Sequence, residues 1–382
     1  MHILVAPNAF KNSLSAPDAA SAIRDGLMDS GLNCSISSFP VGDGGDGTAS
    51  LIVQYLDGFF INVKANDPLG RRINAPVGFV DEGKTAVIEM ADVSGLKLLQ
   101  QNELDPLRAT SFGCGELIHA ALNHGVKKII LGAGGSATID GGCGALQAMG
   151  VAFLDQSKKE LTGLPESLTD LDTIDISGID KRIFDTEFII LCDVDNFLLG
   201  AKGAASVFGP QKGASAKDII QLEHALMRLK DISLSQTGLD MNNLPHGGAA
   251  GGISAGLNIY LRARLVQGIE YFLDMTGFDK ALENTDLLIT GEGCIDLQTL
   301  EGKGPFGVAR RAKKKNITVI GLAGNVPLTG CAELDHYFDI LMAINQPHED
   351  LRTAMLHTDV NLRKASFRLG KMISGGKLNR RK

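Results

Sequence analysis

The sequence lacks any run of about 18 apolar residues, the length that a membrane-spanning helix needs. It also lacks a basic excess, since 37 lysines and arginines stand against 44 acids and leave a net charge of −7. Nucleic-acid-binding proteins usually carry a basic surplus. The opening residues MHILVAPNAFKNS show no basic stretch before their short apolar segment, so no secretory signal is expected. These absences favour a cytoplasmic protein with neither nucleic-acid nor membrane partners.

Closely spaced cysteine pairs are missing too. None of the six cysteines forms a CxxC pair, and a chain of 382 residues does not need a disulfide framework to be stable. We therefore expect reduced thiols, as in a cytoplasmic protein.

Three familiar nucleotide-binding patterns are absent as well. No GxxxxGK[ST] sequence occurs, and the segment APNAFKNSLS after the first apolar run contains no glycine. The second absence argues against a dinucleotide-binding fingerprint at that point. The set of loops typical of protein kinases is also missing.

Glycine, in contrast, is abundant: 46 of the 382 residues are glycine, about 12% against a usual share of about 7%. The glycines gather at the ends of apolar segments, and six of them fall within residues 132–144. Such a cluster allows tight turns, and it also lets an anion approach backbone amides closely. From this segment alone, both explanations stay open.

The two ends of the chain share one pattern, in which apolar segments alternate with amphipathic ones. Strands are predicted at 2–6, 34–40, 286–290, 317–322 and 336–344, and helices at 16–29, 47–57, 305–315 and 349–373. Strands that alternate with helices predict a parallel, doubly wound sheet.

The middle of the chain differs. A short antiparallel meander is predicted at 59–65, 73–80 and 85–91, followed by helices at 110–124, 140–149 and 215–232 and strands at 127–131 and 187–192. We therefore predict an α/β protein with two domains. One is discontinuous, residues 1–60 with 275–382, and the other is a mixed α/β domain inserted at 61–274.

Glycines follow most of the predicted strands, together with acids, amides or lysines. Ligands of open α/β sheets bind beyond the carboxyl ends of strands. Glycines and lysines suit phosphates, and paired carboxylates suit Mg²⁺. This distribution favours phosphoryl transfer from a nucleotide.

Several of these residues have a plainer alternative. Asp43 and Asp46 could cap the helix at 47–57, where negative charge is favoured. Asp193 and Asp195 could simply form a turn. Arg71 could hold a substrate carboxylate or lie in a surface turn. Lys212 and Lys303 could be solvated, which is common for an isolated lysine.

Ten motifs occur in an order that resembles the bacterial glycerate kinases of the GlxK/GarK type. They are APNAFKNSLSA, DGGDGT, NDPLGR, TSFGCGELI, GGSATIDGG, CDVDN, FGPQKGA, GGAAGG, DLLITGEGCIDLQT and GKGPFGVA. The resemblance covers residues 2–372. It implies ATP-dependent phosphorylation of D-glycerate, usually at the 2-hydroxyl. It also implies a flavodoxin-like (Rossmann-like) domain and a restriction-enzyme-like domain.

We therefore assign hypothetical roles to three sets of residues, with ATP and Mg²⁺ as cofactors. The catalytic candidates are Asp193, Asp195 and Lys11. The substrate and phosphate candidates are Ser13, Arg71, Gly134, Gly135, Ser136, Thr138, Lys212 and Lys303. The metal candidates are Asp43, Asp46, Glu292 and Asp296. D-glycerate and ATP are the expected small-molecule partners, and a homodimer is left open.

The sequence departs from the family pattern at two positions that bear on activity. Asn8 replaces an aspartate in the first loop, and Cys294 replaces an arginine after the predicted strand 286–290. These changes bear on acceptor preference or rate more than on reaction class. Two alternative functions remain: a metal-dependent phosphatase or hydrolase of a small phosphorylated acid, and a weakened relative that binds ATP or glycerate without turnover.

Overall fold

The computed structural model describes residues 1–345 and 350–376. The strands are β1 (His2–Val5), β2 (Ser35–Ser38), β3 (Phe59–Asn66), β4 (Arg72–Val80), β5 (Thr85–Glu89), β6 (Lys128–Gly132), β7 (Ala152–Leu154), β8 (Thr173–Asp175), β9 (Glu187–Cys192), β10 (Arg264–Gln267), β11 (Leu287–Cys294), β12 (Thr318–Asn325) and β13 (Ile340–Ala343). The helices are α1 (Ala16–Asp29), α2 (Thr48–Tyr55), α3 (Ala91–Ser94), α4 (Phe112–His124), α5 (Cys143–Ala148), α6 (Ala204–Phe208), α7 (Ala216–Thr237), α8 (Ile253–Leu261), α9 (Gly268–Met275), α10 (Phe278–Ala281), α11 (Gly304–Lys314), α12 (Ala332–Asp335), α13 (Leu351–Leu356) and α14 (Thr358–Ser374).

The chain divides into two compact units. Unit 1 contains residues 1–43 and 269–382, and unit 2 contains residues 44–268. The first change of unit falls after Asp43 rather than near residue 60, because α2 packs on β4 and β5 of unit 2.

Unit 1 is built on a five-stranded parallel sheet in the order β13-β12-β11-β1-β2. Strand β1 pairs with β11 on one side and β2 on the other, with Ile3 opposite both Leu287 and Ile36. Helices α1 and α14 pack on this sheet, and their buried leucines join its core. An α/β fold with a parallel sheet is therefore confirmed.

Unit 2 contains a six-stranded mixed sheet in the order β10-β9-β6-β5-β4-β3. The meander of β3, β4 and β5 is antiparallel, and β5, β6, β9 and β10 run parallel. Strands β7 and β8 form a separate two-stranded antiparallel sheet. The apolar faces of the large sheet bury one continuous core with α4, α5, α7 and α8.

Local signals explain where helices α1 and α7 begin. The Ser15 hydroxyl accepts a hydrogen bond from the Asp18 amide, and Pro17 occupies the first turn of α1, where no amide partner is needed. Ser215 and Asp218 form a capping box at the start of α7. Both starts lie within one residue of their predicted positions.

Two predictions of local structure are wrong, and three short strands were missed. Residues 336–339 form the turn that ends helix α12, so only Ile340–Ala343 of the strand predicted at 336–344 is a strand. The helix predicted at 349–373 is two helices separated at His357, whose ψ of 17° is not helical; residue 349 itself lies outside the described residues. The short strands β7, β8 and β10 were not predicted. No helix within residues 1–345 and 350–376 combines the length and apolar character needed to cross a bilayer.

Candidate active site

In unit 1, the ends of β1 and β11 bring together a set of polar side chains. Asn8 follows β1, and its backbone N–H donates a hydrogen bond of 2.9 Å to the Gly291 carbonyl in β11. The Asn8 side-chain nitrogen donates to Asp43 Oδ2 at 2.7 Å. The same oxygen accepts a hydrogen bond of 3.1 Å from the amide of Gly304, the first residue of α11. Asp43 therefore links a strand end to a helix start.

Glycine at position 304 is required by this close approach. A Cβ atom there would lie 2.8 Å from the Asn8 side-chain nitrogen, closer than real Cβ contacts allow. The glycine thus gives Asp43 access to the backbone at the start of α11.

Glu292 lies in the same unit and is almost completely buried. Burial raises its pKa to about 8; Lys303 and a hydrogen bond from the Thr299 hydroxyl act in the lowering direction, and Asp43 and Asp296 in the raising direction. The Thr299 hydroxyl donates to Glu292 Oε1 at 3.0 Å. We call Asn8, Asp43, Glu292 and Lys303 the unit 1 polar group.

Asp296 has a structural task next to this group. Its Oδ1 accepts a hydrogen bond of 2.9 Å from the Gln298 amide, so Asp296 caps the turn at Leu297–Glu301. The Cys294 thiol donates to Asp296 Oδ2 at 3.4 Å. Cys294 therefore contacts an acid at the position where the family pattern has an arginine.

In unit 2, the Gly-rich loop of residues 132–138 follows β6. The ammonium of Lys212 donates hydrogen bonds of 2.8 Å to the Ser136 hydroxyl and of 2.8 Å to the Thr138 carbonyl. Lys212 is 2% exposed, so it is not a solvated lysine. Lys212 lies in the segment after α6, and its hydrogen bonds hold the end of the loop, at Ser136 and Thr138, in place.

Close backbone contact accounts for at least one glycine of this loop. The Gly134 amide donates to the Gly44 carbonyl at 2.9 Å, and a Cβ atom on Gly134 would lie 2.5 Å from the Gly45 Cα. The neighbouring Asp140 is fully buried and accepts hydrogen bonds from the amides of Ser111, Gly142 and Gly144. Much of the glycine cluster is thus explained by packing.

A second polar group of unit 2 surrounds the N-terminus of α2. Glu89 ends β5 and accepts hydrogen bonds from the amides of Gly47, at 2.5 Å, and Ala49, at 3.3 Å. Burial, and then a hydrogen bond with Asp46, raise the pKa of Glu89 to about 8. The Lys97 ammonium lies 2.6 Å from Asp46 and 2.8 Å from Asp92. Glu89 therefore caps α2, a role considered only for Asp43 and Asp46 from the sequence.

Asp193 and Asp195 follow β9, as predicted. Asp195 is more than half exposed, and its Oδ1 lies 2.8 Å from His246 Nδ1. His246 Nδ1 is also 2.8 Å from the Val194 carbonyl. Asp193 is half-buried and takes part in further interactions.

Two predicted ligand residues are engaged within the protein. The Arg71 guanidinium contacts Asp67, Glu103 at 2.6 Å and the Leu98 carbonyl at 3.2 Å, which favours the surface-turn alternative. The Ser13 hydroxyl contacts Thr358 Oγ1 at 2.6 Å and the Met355 carbonyl at 2.5 Å.

The accessibility of the remaining candidates differs. The Thr138 hydroxyl is fully buried and is not accessible to a ligand. Lys11 is exposed, and Gly135 is half-buried with a φ of 74°.

Within residues 1–345 and 350–376, no three His, Cys, Asp or Glu side chains converge as a complete metal site. Mg²⁺ is usually held by one or two carboxylates and by phosphate oxygens. Glu292 and Asp43 are two buried carboxylates of that kind, and Asp43 is near enough to raise the pKa of Glu292. The unit 1 polar group therefore fits a hard cation. Asp46 is instead paired with Lys97.

Sequence reasoning missed Glu89, Lys97 and His246. Glu89 carries a recognisable signal, because it is an acid at the end of the buried strand TAVIE. Lys97 and His246 lie far along the chain from Asp46 and Asp195, and nothing in their local sequence indicates those contacts.

Comparison with known proteins gives consistent results. Residues 3–374 match the model of the family described as "Glycerate kinase family". The chain is 42% identical over 357 residues to a glycerate kinase of Bacillus subtilis (strain 168), covering 94% of each chain. It is 41% identical to a glycerate 2-kinase of Escherichia coli (strain K12), covering 93% of this chain and 94% of that one.

A solved structure is similar over the whole chain. It is a crystal structure described as a candidate glycerate kinase 2 from Salmonella typhimurium LT2, with a TM-score of 0.80 and 39% identity. The alignment covers 99% of this chain and 100% of that one.

Proposed function

The chain belongs to the glycerate kinase family, and we propose that it transfers the γ-phosphoryl group of ATP to the 2-hydroxyl of D-glycerate. The products are 2-phospho-D-glycerate and ADP. The single observation that carries this proposal is the family match, which extends from residue 3 to residue 374. ATP, Mg²⁺ and D-glycerate are then its partners, and we expect it to act in the cytoplasm.

In the proposed reaction, the C2 hydroxyl oxygen attacks the γ-phosphorus of ATP. The bond between the γ-phosphorus and the bridging oxygen breaks, and its electron pair leaves with ADP. The hydroxyl proton passes to a carboxylate, for which Asp193 and Asp195 are the candidates. Such a base contributes about 10² to 10⁴ in rate. His246 can hold the Asp195 carboxylate in place through their 2.8 Å contact.

We assign the cation to the unit 1 polar group. Glu292 and Asp43 would hold Mg²⁺, with Asp296 as the next carboxylate along the chain. When bound, Mg²⁺ neutralises charge on the phosphate oxygens. Lys303, whose charge already favours ionised Glu292, adds positive charge to the group.

The Gly-rich loop would bind phosphate or glycerate through its backbone, chiefly at Gly135 and Ser136. Lys212 then acts as a positioning residue, because its ammonium already donates to Ser136 and Thr138. Lys11 is exposed and can reach an anionic ligand. Ser13 and Arg71 have hydrogen-bond partners within the protein, and we give them no ligand role.

The proposal is tested by measuring ADP release from ATP and Mg²⁺ with D-glycerate, with L-glycerate and without acceptor. The product is resolved by ³¹P NMR. Release that depends on D-glycerate, with a 2-phosphoglycerate signal, is the expected result. Phosphate release from added 2-phosphoglycerate in the absence of ATP would support the hydrolase alternative. Binding of ATP or glycerate without turnover by a folded sample would support the inactive relative.

The base is identified by comparing Asp193→Asn with Asp195→Asn. Each variant keeps the size of the side chain but cannot accept the proton. The variant that lacks the base should lose about 100-fold or more in kcat with little change in KM. Equal, small losses in both variants would contradict a base at either position.

A further inference from the structure

A groove of about 740 Å³ runs between α1 and α14 on the surface of unit 1. The α1 wall is acidic and contains Asp18, Asp25 and Asp29. The α14 wall is mainly basic and contains Arg363, Lys364 and Arg368. We call this feature the α1–α14 groove.

The floor of the groove is apolar and open to solvent. Ala22, Val360 and Phe367 line it, and the two larger side chains are 43% and 39% exposed, respectively. Apolar area between two charged walls is the arrangement found in protein interfaces, which have an apolar centre and a polar rim.

The two helices form a rigid base for this surface. A Cβ atom on Gly26 would lie 2.3 Å from the Arg363 carbonyl oxygen, so the helix backbones are in direct contact. Gly26 lies against Ser366, and Ser30 lies against Gly370, four residues further along both helices. The helices therefore run in the same direction, and the two charged walls lie side by side.

One ion pair links the walls, between Arg363 and Asp29 at 2.6 Å. In the part of the chain that the structure describes, neither Lys364 nor Arg368 has an ion-pair partner. Most of the basic wall is therefore available to another molecule.

We propose that the α1–α14 groove is the contact surface through which two copies of this chain form a dimer. A partner of one charge would be attracted by one wall and repelled by the other. A second copy related by a two-fold axis along the groove places its acidic wall over the basic wall, and its basic wall over the acidic wall. This complementarity arises from the sequence of a single chain.

The size of the surface sets the strength of the dimer. Two helices about 10 Å wide, with α14 about 25 Å long, give a contact face of about 500 Å² per copy. A standard stable interface buries about 800 Å² per partner. We therefore expect a weak dimer that forms in the micromolar range and dissociates at about 1 M salt, where charges are screened.

The test uses sedimentation velocity of the full-length chain from about 1 to 100 µM. Wild type should shift from monomer towards dimer mass as concentration rises. Lys364→Glu/Arg368→Glu makes both walls mainly acidic, and Asp25→Lys/Asp29→Lys makes both walls mainly basic. Each variant alone should be monomeric, with the dissociation constant raised at least 10-fold.

Mixing supplies the decisive control. An equimolar mixture of the two variants should form dimers, because a mainly acidic groove then meets a mainly basic one. A chain that carries all four substitutions should dimerise again, which also rules out unfolding as the cause of monomeric behaviour. Wild type that stays monomeric at 100 µM, or variants that dimerise as strongly as wild type, would overturn the proposal.

Discussion

The ammonium of Lys212 and the hydroxyl of Ser136 are joined by a hydrogen bond of 2.8 Å, although 76 positions separate the two residues. The same ammonium donates to the Thr138 carbonyl. A buried lysine therefore fixes the conformation of the Gly-rich loop. Charge-assisted hydrogen bonds of this kind are stronger than neutral ones.

The first prediction concerns this lysine. Lys212→Met keeps much of the apolar stem but removes both hydrogen bonds, so the loop should lose its fixed position. We expect kcat to fall by about 100-fold, the cost of a displacement of about 1 Å in a site. Lys212→Arg is the matched control and should keep part of the activity. Full activity in the Met variant would show that the loop needs no such support.

A second prediction tests the contact between two glycine loops. Gly134→Ala places a methyl group 2.5 Å from the Gly45 Cα, so the backbone must shift. We expect the free energy of unfolding to fall by about 1–3 kcal/mol, as for other overpacked sites. Gly330→Ala is the control, since the new methyl group would lie 3.6 Å from Asp335. Chemical denaturation measures both, and equal stabilities would refute the close contact.

Arg71 gives a third prediction, one that separates its two sequence-based explanations. Its guanidinium is engaged by Asp67, Glu103 and the Leu98 carbonyl. Arg71 then makes no contact with the substrate, so Arg71→Ala should change the KM for glycerate by less than about two-fold. A rise of 10-fold or more, measured by steady-state kinetics, would restore the role of a carboxylate clamp.

The fourth prediction is a pH dependence of stability due to Glu292. Its pKa is about 8 in the folded protein, against 4.5 for an ordinary glutamate. The folded state thus holds a proton that the unfolded state releases, and stability falls as pH rises from about 4.5 to about 8. Glu292→Gln removes this loss.

Thermal unfolding in EDTA measures the difference between this variant and wild type. The variant should match wild type near pH 4 and exceed it in free energy of unfolding above pH 8, by on the order of 5 kcal/mol. If stability changes with pH in the same way for wild type and Glu292→Gln between pH 4 and pH 9, a buried, neutral Glu292 is contradicted.

A fifth prediction follows from Asn8, whose side-chain nitrogen donates a hydrogen bond of 2.7 Å to Asp43 Oδ2. Asn8→Asp removes the donor and sets two carboxylates against each other. Without metal, the variant should lose about 1–3 kcal/mol of stability at pH 7. Added Mg²⁺ should recover more stability in the variant than in wild type, as measured by thermal unfolding with and without the ion. Asn8→Ser keeps a donor and serves as the control.

The sequence predicts best the features that are specified locally. Helix α1 has a Ser15 cap and a proline at its start and Gly31 just after its end, so both of its ends were predicted correctly. Strands β7 and β8 have only three residues each, too short for a period of two to be recognised. The break at His357 has no proline or glycine to indicate it.

The candidate site shows the same limit. The acids and lysines were predicted from their positions after strands, but the partners of Lys212 and Asp195 depend on contacts across 50 or more residues. One sequence contains no signal for such pairs. Burial is equally invisible, and it is burial that makes Glu89 and Glu292 differ from ordinary surface acids.

The position of β1 inside the sheet, between β11 and β2, has a consequence for protein synthesis. Strand β1 leaves the ribosome long before its neighbour β11, which begins 285 positions later, at Leu287. At about 5–20 residues per second, β1 must wait roughly 15 to 60 seconds for that neighbour. Unit 2 is one continuous stretch and can complete its core during this interval. A strand made before all of unit 2 is thus enclosed only after unit 2 is complete, and until then a nascent chain exposes it to chaperones.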